Sequence, residues 1–100
     1  MDIIINRENK EVIAFLKGRL DTPASMEIAK DMDSLKADAS GTVILDCSEM
    51  SYISSSGLRL FLALRKAAAE KGGKVIIRNI CDDVRSVFMM TGFLNLFDIQ

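Results

Sequence analysis

Histidine and tryptophan are absent from this 100-residue chain, which has one proline, one tyrosine and two cysteines. The missing histidine removes histidine-based catalytic triads, histidine metal ligands, histidine phosphotransfer and histidine pH switching together. Two cysteines, Cys47 and Cys81, are too few for a disulfide scaffold and form no Cys-x-x-Cys pair, so free thiols in a reducing cytosol are expected. Charge of one sign is also missing. Thirteen basic residues face fourteen acidic ones, a formal net charge of −1, and no basic excess is available to hold a phosphate backbone. A direct nucleic-acid partner is therefore not expected. The longest uninterrupted apolar runs are five residues, against about 20 for a bilayer span. Residues 1–7 carry no basic leader and no long apolar stretch, so they do not read as a signal peptide. The expectation is a cytoplasmic chain without a membrane partner.

Catalytic chemistry has little to stand on. A serine hydrolase without histidine needs a lysine base, and no Ser-x-x-Lys lies near the serine-rich segment described below. There is no glycine-rich phosphate loop and no clustered set of metal ligands. The chain reads as a non-enzyme with no metal and no cofactor.

What is present is a core. Hydrophobic residues make up 49% of the chain and charged residues 27%, a globular balance. One hundred residues fit one domain, here residues 1–100, which can bury about two-thirds of its extended surface. Ile3-Ile4-Ile5 and Val12 to Leu16, joined by a polar turn, predict a β-hairpin whose second strand is buried on both faces. Asp21-Thr22-Pro23 opens a helix with Ala24, Ile28, Met32 and Leu35 as its apolar stripe, ending at Ser40-Gly41. Thr42 to Leu45 predicts a short buried strand ending at Asp46, and residues 47–53 a loop. A long helix from the serine cluster stops at Gly72-Gly73, and residues 74–78 form another strand. Asp82-Asp83 is expected to cap a last helix, with residues 97–99 as a final short strand. The methionines, Met89-Met90 included, read as core filling, and Cys47 as a buried structural thiol. The order β-β-α-β-α-β-α-β predicts an α/β fold with a mixed, mostly parallel sheet and one antiparallel edge pair.

The segment that carries chemistry is Asp46 to Leu58, where Ser54-Ser55-Ser56-Gly57 lies between a loop and a helix. Ser54 is placed to be the N-cap, with Ser55 and Ser56 in the first turn. Two readings fit these residues. In one the serines only start a helix. In the other Ser55 is a phosphoacceptor, because the free N–H groups and dipole of a helix start tolerate an anion. Arg59, one turn on, fits either a solvated helix face or a contact to a phosphate or a partner carboxylate.

The pattern Asp46-x-Ser48-x-Met50-x-Tyr52-Ile53-Ser54-Ser55-Ser56-Gly57-Leu58 resembles the signature of STAS domains, the anti-sigma factor antagonists. Gly18-Arg19-Leu20-Asp21 resembles the family's G-x-L-D turn, and Met90-Thr91-Gly92-Phe93 with Leu96-Phe97 its L-T-G-L-x-x-L-F ending. The likeness covers nearly the whole chain. It implies the STAS fold and a partner-switching role. In that family a serine of this loop, which maps by motif to Ser55, is phosphorylated by an anti-sigma factor that is itself a serine kinase, a histidine-kinase-like ATPase. The unphosphorylated antagonist binds this kinase and frees the sigma factor. A PP2C-type phosphatase reverses the modification. Ser54 stands where the family has aspartate, which leaves Ser54 and Ser56 as competing acceptors. By the same resemblance Asp46 orders the acceptor loop, and Asp21, Ser54, Ser56 and Gly57 belong to the partner-binding region, to which Arg59 is added for its place one turn from Ser55. STAS domains commonly continue with one more helix beyond the point where this sequence stops.

Other readings remain. A STAS module that is never phosphorylated, in a transporter or a larger signalling assembly, would use Ser55 only as a cap. A receiver domain would use Asp46 as acceptor, but it needs an acidic pair after its first strand, where Ile5-Asn6-Arg7 stands.

Overall fold

In the computed structural model, which describes residues 1–100, a five-stranded sheet carries four α-helices. Strand β1 (Asp2–Glu8) and β2 (Glu11–Leu20) form the expected hairpin. It turns at Asn9, whose φ of +53° suits asparagine. The rest are α1 (Thr22–Glu27), α2 (Ala29–Ala37), β3 (Thr42–Ile53), α3 (Ser55–Glu70), β4 (Lys74–Arg78), α4 (Asp82–Met90), a 3₁₀ turn (Phe93–Leu96) and β5 (Asp98–Ile99). The strands lie in sequence order, β1 to β5, antiparallel only between β1 and β2.

Alternation along the strands decides what faces the helices. Val12, Ala14 and Leu16 of β2, Val43 and Leu45 of β3, and Val75 and Ile77 of β4 share one core with Met32, Leu35, Phe61, Leu64, Val84 and Phe88 from the helices. The alternate strand residues lie outside that core. Ile13 and Phe15 are only half-buried, so β2 is covered fully on one face, not on both as its unbroken apolar run predicts.

Four further expectations are corrected. The first helix is two: the chain breaks at Ile28, with φ −93° and ψ 5°, which ends α1 and precedes α2. Nothing in the composition announces this break, since Ile28 is itself buried. Residues 47–53 are not a loop. They extend β3, pairing with Lys17 to Leu20 of β2 through two register shifts. The N-cap of α4 is Cys81, without a side-chain bond, and Asp82 and Asp83 sit inside the first turn, where their charge suits the dipole. Met89 and Met90 are 60% and 87% exposed, so they fill no core. No helix is long and apolar enough to cross a membrane.

Candidate functional site

The serine cluster sits where β3 hands over to α3. Ser54 N–H donates to the Leu20 carbonyl at 2.8 Å, so the ends of β2 and β3 are tied together at the turn into the helix. Ser54 has extended backbone and accepts from Gly57 N–H through Oγ at 3.2 Å. Its lone pair is thus committed to one of the free donors of the helix start. Ser56 is half-buried, and its Oγ lies 3.4 Å from Thr22 Oγ1 across the gap to α1. Ser55, the first residue of α3, is exposed and its hydroxyl forms no hydrogen bond within the chain. Three consecutive serines therefore have three different states: a cap, a cross-loop contact and a free hydroxyl.

Gly57 explains how the serines reach the surface. A Cβ at this buried position would lie 2.7 Å from Leu20 Cγ and 2.9 Å from Ile53 Cγ1. The first turn of α3 is thus pressed onto the last core residues of β2 and β3, which puts Ser55 on the rim above them. Asp21 fixes the neighbouring loop: its Oδ1 accepts from Ala24 N–H at 3.0 Å as the N-cap of α1, and its carbonyl accepts from Ser25 Oγ at 2.9 Å. Arg59 is exposed on α3 and forms no ion pair.

Asp46 is placed elsewhere than motif reading suggests. It lies within β3, not at its end, and bonds none of the three serines. Its Oδ1 accepts from Ser48 N–H at 3.0 Å, while Oδ2 accepts from Arg78 Nε at 3.1 Å and Asn79 Nδ2 at 3.3 Å. Asn79, with φ +62°, begins the turn out of β4. Asp46 thus holds β4 and its exit to the middle of β3. Burial alone pushes its carboxyl pKa up, but the Ser48 amide and hydroxyl and the Arg78 hydrogen bond and charge together leave it below the ordinary value. Cys47, next along β3, points into the core. Burial, with smaller contributions from Asp46 and Cys81, pushes its thiol up to about 12, which makes it a poor nucleophile.

Sequence reading missed three residues beside the serine turn. Thr22 became visible only when the fold brought α1 beside α3. Arg19 and Tyr52, 33 residues apart, stack on one another, with the guanidinium carbon 4.4 Å from the ring centroid. No group of three or more Cys, Asp or Glu side chains converges as metal ligands. The largest surface depression, about 480 Å³ near Arg7, Lys10, Asp38 and Gly41, lies at the opposite end of the strands from Ser55.

The model of the STAS domain matches residues 2–100. BtrV of Bordetella bronchiseptica is 26% identical over 99 residues, covering 99% of this chain and 85% of that protein. The anti-sigma-B factor antagonist of Listeria monocytogenes is 20% identical over 97 residues, covering 97% of this chain and 85% of that one. Among solved structures, the anti-sigma factor antagonist SpoIIAA in its unphosphorylated form superposes with a TM-score of 0.81 at 22% identity, covering 99% of this chain and 88% of that one. The phosphorylated form of SpoIIAA from Bacillus superposes at 0.74. With the family model matching residues 2–100, the chain belongs to the STAS domain family.

Proposed function

We propose that this chain is an anti-sigma factor antagonist and that Ser55 is its phosphoacceptor. The observation that carries the reading is the division of labour among the three serines. Ser54 is held as a cap, Ser56 lies against Thr22, and Ser55 alone presents an unpartnered hydroxyl. That SpoIIAA exists in phosphorylated and unphosphorylated forms, and that Listeria relatives are anti-sigma-B factor antagonists, supports the same assignment.

The mechanism follows from charge and position. In its unphosphorylated state the chain docks its Ser55 face on an anti-sigma factor, and the sigma factor is released. That anti-sigma factor is also the kinase. The Ser55 oxygen attacks the γ-phosphorus of ATP, the bond to the β-γ bridging oxygen breaks, ADP leaves, and the hydroxyl proton passes to a base of the kinase. The product carries about −1.5 to −2 charge at a helix start that tolerates it. Folding is preserved while a neutral hydroxyl at the interface becomes a dianion, which expels the partner. A PP2C-type phosphatase returns the hydroxyl by hydrolysis, releasing inorganic phosphate. The chain itself is a binding module in the cytoplasm and catalyses neither step. Asp21 and Gly57 set the backbone of the docking face, Ser54 and Ser56 flank the acceptor, and Arg59 lies one turn along α3 as a polar contact of that face. Asp46 acts at one remove, by holding β4 to the middle of β3.

The test is a pull-down from host lysate with wild-type and Ser55→Asp baits, in the presence of ATP and a phosphatase inhibitor, read by mass spectrometry. The expected result is an ATPase of the histidine-kinase-like type on wild type alone, with phosphate mapped to Ser55. Identical partners on both baits and no phosphoserine would instead make the chain a constitutive module. The transporter-type assembly is the form of that outcome to which the fold likeness to a Wolinella succinogenes sulfate transporter family protein, TM-score 0.70, is relevant.

A further inference from the structure

Strands β2 and β3 pair in strict parallel register from Glu11 opposite Thr42 to Phe15 opposite Asp46, and then slip twice. Each slip lets β3 advance by one residue more than β2, once between Phe15 and Lys17 and once between Gly18 and Arg19. Gly18, at φ +102°, supplies a backbone conformation that a side chain would oppose. Had the first register continued, Arg19 would stand opposite Met50, a core residue 1% exposed. The slips place it opposite Tyr52 instead. Bulges of this kind re-aim side chains beside functional sites.

The outcome is a cation stacked on an aromatic ring at the surface. Arg19 and Tyr52 are both exposed, and the guanidinium carbon lies 4.4 Å from the ring centroid. The other arginines of the sheet have partners, Arg7 with Asp38 and Arg78 with Asp46, and the neighbouring Lys17 pairs with Glu49. Arg19 has none, so its N–H donors have no acceptor in the chain. The pair sits directly before Leu20 and Ile53, the buried residues under the Ser55 turn. Arginine and tyrosine are the side chains that most often dominate interfaces, and stacking restrains both before a partner arrives.

We infer that Arg19, held on Tyr52, is the specificity-determining anchor of the Ser55 docking face, and that the partner meets it with a carboxylate. This rests on the functional reading above. Planar bidentate pairing with Asp or Glu is what the free guanidinium fork offers. Lysine carries the charge without the fork or the stack.

The experiment measures the affinity of the purified anti-sigma kinase, loaded with a non-hydrolysable ATP analogue, for a set of variants. Arg19→Ala and Tyr52→Ala are each expected to bind at least 10-fold more weakly than wild type. Tyr52→Phe, which keeps the ring face, stays within about twofold. Arg19→Lys falls between. Arg19→Glu binds at least 100-fold more weakly and is rescued by reversing the charge of the facing acidic residue on the kinase. Circular dichroism checks the fold of every variant, and the only tyrosine, in a chain without tryptophan, reports by fluorescence on the ring where Tyr52 is kept. Arg19→Glu binding within twofold of wild type overturns the anchor and leaves the functional reading standing. If wild type itself binds no such kinase, the functional reading fails and the anchor falls with it.

Discussion

Gly57→Ala sets two known effects against each other at the turn that presents Ser55. Alanine is a better helix residue than glycine by about 1 kcal/mol, so on propensity alone the variant is more stable. The new methyl, however, would lie 2.7 Å from Leu20 Cγ and 2.9 Å from Leu20 Cδ2 and Ile53 Cγ1. These are not flexible tips. Leu20 is 0% exposed and Ile53 1%, so neither has space to retreat. Forcing a methyl into such a site costs about 1–3 kcal/mol. The clash wins by about 1 kcal/mol, which for a chain of this size lowers Tm by about 4–8 °C. Thermal melts followed by circular dichroism measure this directly. The cause is checked in a Leu20→Ala background, which removes two of the three close contacts. There the cost of Gly57→Ala is expected to fall by at least half, a coupling that neighbouring residues share and distant ones do not. A Gly57→Ala variant as stable as wild type, or one equally costly in both backgrounds, would refute the argument that α3 is seated by the absence of a side chain at 57.

Asp46→Asn removes the charge that Arg78 and Asn79 meet on β3, and is expected to cost about 1–3 kcal/mol at pH 7. Because the folded carboxyl is held below its ordinary value, the wild-type contribution is complete above the unfolded pKa of about 3.9 and is lost as pH falls through the folded one. The stability difference between wild type and Asp46→Asn therefore shrinks below about pH 4, and urea titrations at pH 7 and pH 3 compare the two. Thiol labelling at pH 8 is expected to modify Cys81, which is exposed, and to spare Cys47, which is buried with its thiol pushed up to about 12. Both react after denaturation, and rapid native labelling of Cys47 would contradict its burial.

The element order and most of the core could be read from the chain because helix and strand periodicity is plain in residues 28–35, 42–45 and 58–68. The stretch Cys47 to Ile53 could not. Its buried positions are Cys47, Met50 and Ile53, with exposed pairs between them, a spacing of three. A strand is recognised by a spacing of two, and the two slips against β2 are what change it. Those slips are long-range events that no local pattern records. The break at Ile28 was hidden because the apolar stripe runs through it without a glycine or proline. At the site, Ser54 as cap and Ser55 as first helical residue were legible from local chemistry alone. What set Ser56 apart from Ser55 was Thr22, 34 residues away in sequence, and what removed Asp46 from the serines was the length of β3. Tertiary approach decided both.

The central claim is that a single phosphate on Ser55 switches partner binding without unfolding the chain. The most direct measurement is calorimetric titration of the purified anti-sigma kinase with the unmodified chain and with the chain carrying phosphoserine installed at position 55. The account predicts at least a 100-fold loss of affinity, about 2.7 kcal/mol, with the circular dichroism spectrum unchanged. Affinities within threefold of each other, or the same loss from phosphoserine at position 56 with none at 55, would contradict it.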